Sequence, residues 1–275
     1  MKRIPSPLLI ARIMALCITA TYAIATQLPP DPDLVYVRLT PLDSSRDRPF
    51  PELHKEQFKI AEDNTPQDIV YFSREDLPLQ VGILLDATGT VKDELKAKVL
   101  PGFTNAGRKE DEYFLLESGK TPLNDAVLET INTLDQRGSN KKRALILVTT
   151  RSAPSSAPFS KIRDRLRELD IQLYVTGFSD SSTDDDRQAL RELAEQTGGS
   201  AFFPTSIFEQ ADICKKIAAQ LKNQYVIGYR STNKATDAKW RKIKITGEYL
   251  DSQSRKIRKM NVHAKPGYFA SGPPK

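Results

Sequence analysis

The sequence predicts an α/β protein: a mostly parallel sheet with helices on both faces, plus a small β-sandwich built from the N- and C-terminal segments. Three observations carry this. Val81-Gly82-Ile83-Leu84-Leu85 is a near-continuous apolar run, which suits a strand covered on both faces. From residue 79 to residue 223, strand-length apolar runs alternate with helix-period stretches, the pattern of a layered α/β domain. Residues 34–72 and 225–263 carry short alternating runs and turn residues, with too few strands on either side to bury a core alone. The two flanks are therefore expected to combine.

At 275 residues, 39% hydrophobic and 28% charged, the chain is ordinary globular material, long enough for one medium domain and a small one. Lys2, Arg3 and Arg12 precede an apolar stretch over residues 13–25 that closes on Ala23-Ile24-Ala25. This is the layout of an export signal cut after Ala25, and it predicts a periplasmic, envelope or secreted protein beginning at Thr26. Ile4, Leu8, Leu9 and Ile10 extend the apolar stretch, so an N-terminal membrane anchor is the alternative. Removing the signal also removes Cys17 and leaves Cys214 as the sole thiol, which excludes an internal disulfide. The formal charge falls from +6 to +3 without Lys2, Arg3 and Arg12, too little to point to nucleic acid. The expected layout is a signal over 1–25, an N-terminal β segment over 26–78, an α/β domain over 79–223, a C-terminal β segment over 224–270 and a tail over 271–275.

After Pro29, Pro30 and Pro32, strands are predicted at residues 34–39, 58–60 and 69–72, with Glu62-Asp63-Asn64-Thr65-Pro66 as a turn. A helix follows Thr90, with Val91, Leu95 and Val99 on its buried face, and is expected to stop at Pro101-Gly102. Residues 113–116 read as a strand. Thr121 is the expected N-cap, and Pro122 the first residue, of a helix burying Leu123, Ala126, Val127, Ile131 and Leu134. Residues 144–148 and 173–175 read as buried strands, with helices marked by Ile162, Leu166 and Leu169 and then by Leu190, Leu193 and Ala194, the latter closed by Gly198-Gly199. A short strand at residues 201–203 leads to a helix whose buried face, Ile207, Ala211, Cys214, Ala218 and Leu221, makes Cys214 a packing residue. Strands at residues 225–229, 240–246 and 256–263 complete the chain.

The chemistry concentrates where the first buried strand ends. Asp86 is followed by Thr88 and Thr90 at alternate positions, with Gly89 between them for a tight turn. Oxygen ligands so spaced at the carboxyl end of a central strand suit a hard cation such as Mg²⁺. A purely structural alternative is a capping box of Thr90 with Asp93. The run resembles the first metal-site segment of von Willebrand factor type A (vWA) domains, Asp-x-Ser-x-Ser, with threonine for both serines. Further segments resemble, in order, an exported bacterial vWA family of the VWFA-related Acidobacterial type: residues 56–63, Tyr71-Phe72-Ser73-Arg74-Glu75-Asp76, Thr121-Pro122-Leu123-Asn124-Asp125-Ala126, residues 193–199, Gln224-Tyr225-Val226-Ile227-Gly228-Tyr229 and Lys265-Pro266-Gly267-Tyr268. The likeness spans residues 34–269. It implies a Rossmann-like vWA domain between β segments, acting as a non-catalytic protein-interaction or adhesion module.

The resemblance also implies a metal site drawn from three loops. Asp86, Thr88 and Thr90 match the first loop and Thr121 the second. The third departs: Thr149-Thr150-Arg151 stands where the family has Thr-Asp-Gly, so a carboxylate is lost and a cation gained. The expected site is degenerate, with no tightly bound cofactor and Mg²⁺ only weakly held. The expected partner-binding edge is Asp86, Thr88, Thr121, Asp125, Thr150 and Arg151, for a protein partner of unstated identity, with cell-envelope association. The segment between Asp86 and Thr121 has room for one helix and one strand, whereas the family fits one more of each. A reduced sheet is therefore expected.

Other chemistry falls away. Gly119-Lys120-Thr121 resembles the tail of a phosphate-binding loop, but the upstream glycine is replaced by Phe114. His54 and His263 lie in opposite flanks without zinc-ligand spacing. Ser152-Ala153-Pro154-Ser155-Ser156 reads as a loop, and Asp184-Asp185-Asp186 as charge at a helix start. Lys239, Arg241, Lys242, Lys244, Arg255, Lys256, Arg258 and Lys259 read as a solvated sheet face or as a patch for anionic envelope material. No catalytic set emerges, so no enzyme is predicted; the alternatives are an envelope hydrolase and a purely structural envelope protein.

Overall fold

The computed structural model describes residues 31, 33–43, 50, 52–105, 107–119, 121–138, 141–150, 159–177, 183–251 and 254–270. The expected signal over residues 1–25, Lys120, Arg151, residues 152–156 and residues 271–275 lie outside the described residues. Among the described residues, no helix is long and apolar enough to cross a membrane.

The flanking segments share one antiparallel sheet. Its N-terminal strands are β1 (Val35–Leu42), β2 (Phe58–Glu62), β3 (Thr65–Gln67) and β4 (Ile69–Arg74). Its C-terminal strands are β10 (Tyr225–Tyr229), β11 (Trp240–Asp251), β12 (Lys256–Ala264) and β13 (Gly267–Phe269). They run in the order β3-β2-β11-β12-β1-β10-β4, with β13 on β11. Asp63 and Asn64, at φ 46° and 66°, form the left-handed turn joining β2 to β3. The sandwich expected from the sequence is corrected here. β1 pairs with both β10 and β12, so the two ends of the chain share ladder hydrogen bonds within one sheet. That sheet curls until Phe58 of β2 and Phe72 of β4 bring their ring centroids to 5.5 Å, and the inner face packs against itself through Val37, Leu39, Ile60, Ile227, Ile243 and Met260. The result is a nearly closed barrel.

Between β4 and β10 lies the α/β layer. Five parallel strands, β5 (Leu79–Asp86), β6 (Glu112–Ser118), β7 (Lys142–Thr149), β8 (Ile171–Gly177) and β9 (Ala201–Phe202), run in the order β6-β5-β7-β8-β9. Helices α1 (Gly89–Thr104) and α5 (Gln210–Lys222) cover one face, where Leu95, Val99, Phe103, Cys214 and Ile217 meet Val81, Ile83 and Leu85. Helices α2 (Leu123–Gln136), α3 (Ser160–Glu168) and α4 (Asp184–Glu195) cover the other, where Val127, Ile131, Leu166 and Leu190 meet Leu84, Leu145 and Leu173. The alternation of Val81, Ile83 and Leu85 with Gly82 and Leu84 thus buries both faces of β5. One helix and one strand stand between Asp86 and Thr121, as the spacing predicts.

Three local expectations change. Helix α1 continues through Pro101 to Thr104, because its last turn is held by packing: Phe103 is buried, and Gly102 lies so close to α5 that a Cβ there would sit 2.6 Å from that of Cys214. Val91 is 37% exposed, so it does not share the burial of Leu95 and Val99. Helix α2 starts one residue late, with Pro122 in the extended N-cap position at ψ 138°.

Candidate functional site

The site forms where β5 and β7 part company. The chain leaves β5 into α1 on one face of the sheet, and the next helix after β7 is α3 on the opposite face. Such a divergence opens a crevice at the carboxyl ends of the two strands. Asp86 and Thr149 are register partners there, and the Thr149 hydroxyl donates to Asp86 Oδ2 at 2.9 Å. The Thr150 N–H donates to the Asp86 carbonyl at 3.0 Å, and the Ala87 N–H to the Ser118 carbonyl at 3.1 Å. The first and third loops and the end of β6 are thereby tied together by backbone.

Asp86 is 0% exposed and Thr149 is 1% exposed, so the only carboxylate of the first loop is a buried acceptor. Thr88, Thr90, Thr121 and Asp125 are exposed, and Thr150 is half-buried. Thr88 is the N-cap of α1, yet its side chain makes no capping bond, so the Thr90–Asp93 capping box read from the sequence gives way to a start two residues earlier, at Gly89 rather than Val91. The second loop comes up against the first: a Cβ on Gly119 would lie 2.8 Å from Thr88 Cγ2 and 2.9 Å from the Ala87 carbonyl. Glycine at 119 is what permits that approach. Asp125 stands in the first turn of α2, where a carboxylate complements the positive helix end.

Sequence reasoning missed two members of this group. In the sequence Thr149 is only part of the altered third loop, and its bond to Asp86 appears once the strands are in register. Ser118 pairs with Asp86 across β5 and β6, and its buried hydroxyl has no hydrogen-bond partner among the described residues. The residues that would meet a divalent cation are thus one carboxylate already accepting a hydrogen bond, and hydroxyls. Among the described residues, no group of three or more His, Cys, Asp or Glu could hold a metal ion. Mg²⁺ prefers carboxylate oxygens with retained waters, so this donor set fits it poorly.

No protein-family model matches the chain, and no curated protein matches it. Among solved structures, the chain is similar to a von Willebrand factor type A protein from Catenulispora acidiphila. That match has 8% identity and a TM-score of 0.47, over 88% of this chain and 74% of that one. It is also similar to the human COPII-coat protein Sec24c, at 10% identity and a TM-score of 0.30, over 72% of this chain and 44% of that one. Neither likeness bears on the chemistry of the crevice.

A second polar group lies where the α/β layer meets the barrel. Ser200 Oγ and His263 Nδ1 stand 2.7 Å apart, and Asn261 Nδ2 is 3.1 Å from His263 Nε2. His263 and Asn261 line a cleft of about 510 Å³ with Glu192, Glu195 and Gln196. The His263 ring thus bridges the Ser200 hydroxyl and the Asn261 amide, with the direction of each bond set by the ring's tautomer. Cys214 offers no nucleophile, since burial pushes its thiol up to about 12.

Proposed function

We propose that this chain is a non-catalytic protein-interaction module of the vWA type, exported or envelope-associated, whose partner meets the crevice at the carboxyl edge of the parallel sheet. The observation that carries this is the Thr149–Asp86 bond across the divergence of β5 and β7, with Thr88, Thr90 and Thr121 on exposed positions of the first and second loops. The buried carboxylate stabilises the ends of the loops, and the exposed hydroxyls and half-buried Thr150 present polar contacts to a partner. The loss of the third-loop carboxylate, where the sequence reads Thr149-Thr150-Arg151, makes recognition independent of Mg²⁺.

The test is capture from envelope extracts by immobilised protein, with and without Mg²⁺, comparing wild type with Thr88→Glu and Thr121→Glu. Both substitutions sit on exposed positions and leave the core untouched. Loss of a specific captured protein in both variants, with Mg²⁺ making no difference, is the expected outcome. Equal capture by wild type and both variants would show that the sheet edge is not the binding surface.

A further inference from the structure

The distal end of the β11–β12 hairpin carries a pair of side chains that the barrel does not use. Leu250 and Ile257 face each other across the ladder and are 67% and 72% exposed, among the most exposed large apolar side chains of the described residues. They sit in a strongly basic frame. Residues 255–259 read Arg-Lys-Ile-Arg-Lys, four cations in five positions with no acid. Arg258 pairs with Asp251 at 2.9 Å, and Glu248 stands opposite Lys259 in the ladder, so two carboxylates accompany the four cations and leave the hairpin end with a net positive charge. Arg255 and Lys256 make no ion pair among the described residues, nor do Lys242 and Lys244 further along β11.

We infer that this hairpin end is a docking surface for an anionic lipid bilayer. The chemistry matches at each layer of such a surface. Cations flanking the tip meet phosphate-bearing headgroups, each adding attraction that salt screens. Two aliphatic side chains on one face reach the boundary between headgroups and acyl chains. The ladder pairs Leu250 with Ile257 and Asp251 with Lys256, so the strand backbone enters that boundary with its partners already in place. A polynucleotide or an acidic protein would satisfy the cations but leave the exposed aliphatic pair without a role.

The test is flotation of the full chain with vesicles of phosphatidylcholine, with and without phosphatidylglycerol. Because residues 4–25 are largely apolar and Lys2, Arg3 and Arg12 accompany them, the readout is that part of the excess of binding to anionic over neutral vesicles that depends on the hairpin positions 250, 256, 257 and 259. The wild type should show that excess, and high salt should reduce it. Leu250→Ser with Ile257→Ser should lower it about tenfold, and Lys256→Glu with Lys259→Glu should lower it at least as far. All four positions are exposed, and an unchanged melting temperature checks that the variants fold. A third variant, Leu250→Trp, should retain binding and show a blue shift in fluorescence on anionic vesicles alone. Absence of an anionic excess in the wild type would overturn the proposal. So would an excess that survives both double substitutions, or a tryptophan at 250 that stays in water while the protein binds.

Discussion

At the scale of single residues, the barrel and the crevice use buried carboxylates in different ways. Glu62, 2% exposed, accepts from Tyr229 and Ser231 at 2.6 Å each and from Tyr268 at 2.9 Å. Burial and the carboxylate push the Tyr268 phenol up to about 12, and Tyr229 is raised further by the same causes. A buried carboxyl group so enclosed by hydroxyl donors is structural. Asp86 has Thr149 as its hydroxyl donor across the strands and sits at a strand end open to loops. Its metal chemistry can be tested directly. Thermal stability should change little with chelator or millimolar Mg²⁺, since a ligand near its dissociation constant adds about RT ln 2, roughly 0.4 kcal/mol. Thr150→Asp with Arg151→Gly should restore a measurable response in a thermal melt. A large Mg²⁺ shift in the unmodified protein would show a working metal site.

At the scale of elements, helix α1 shows packing overriding local preference. A proline in a helix interior removes a hydrogen bond and clashes with the preceding turn, costing about 3 kcal/mol. The turn nevertheless forms, because Phe103 is buried and Gly102 allows α1 and α5 to touch. In an isolated helix, Gly→Ala stabilises by about 1 kcal/mol. Here the added methyl would collide with Cys214, so Gly102→Ala should instead destabilise by about 1–3 kcal/mol in chemical denaturation. A gain in stability would show that α1 and α5 are less tightly apposed than the contact implies. Helix α4 is the contrasting case: Thr183 caps it reciprocally with Asp186, and Gly198 at φ 81° ends it, all as local chemistry dictates.

At the scale of the molecule, the barrel and the α/β layer are joined by polar contacts, some of them buried. Arg38 of β1 holds Glu75 at 2.6 Å and Asp170 at 2.9 Å, and its guanidinium keeps the Asp170 carboxyl below the usual range. Gln224, ahead of β10, donates to both Gln172 and Thr40. Lys142 opens β7 with its ammonium buried, donating to the Leu221 carbonyl at 2.7 Å and the Glu75 carbonyl at 3.3 Å. Burial pushes its pKa down to about 8; Glu75 and Asp76 oppose that shift, while Arg38 and Arg108 reinforce it. The unfolded value is about 10.4, so between these pH values the unfolded chain binds the extra proton and stability rises with pH. From pH 8 to pH 9.5 the gain should be about 1.5 kcal/mol in urea unfolding, relative to Lys142→Met. Parallel pH profiles for the two proteins would mean that the amine is solvated.

The sequence by itself determined the alternation of buried strands and helices from residue 79 to residue 223. Runs such as residues 81–85 and 144–148 have no other way to bury both faces. It also located Asp86 at a strand end and the inert burial of Cys214, since both follow from short-range periodicity. Tertiary structure decided the rest. Whether the terminal segments form two facing sheets or one curled sheet depends on β1 pairing with both β10 and β12, across some 190 residues or more of chain. The partnership of Asp86 with Thr149, 63 residues apart, and the convergence of Tyr229 and Tyr268 on Glu62, up to 206 residues apart, depend likewise on strand register. Local sequence fixes which side chains share a face of one strand, but which strands become neighbours is set by how the whole chain closes its cores.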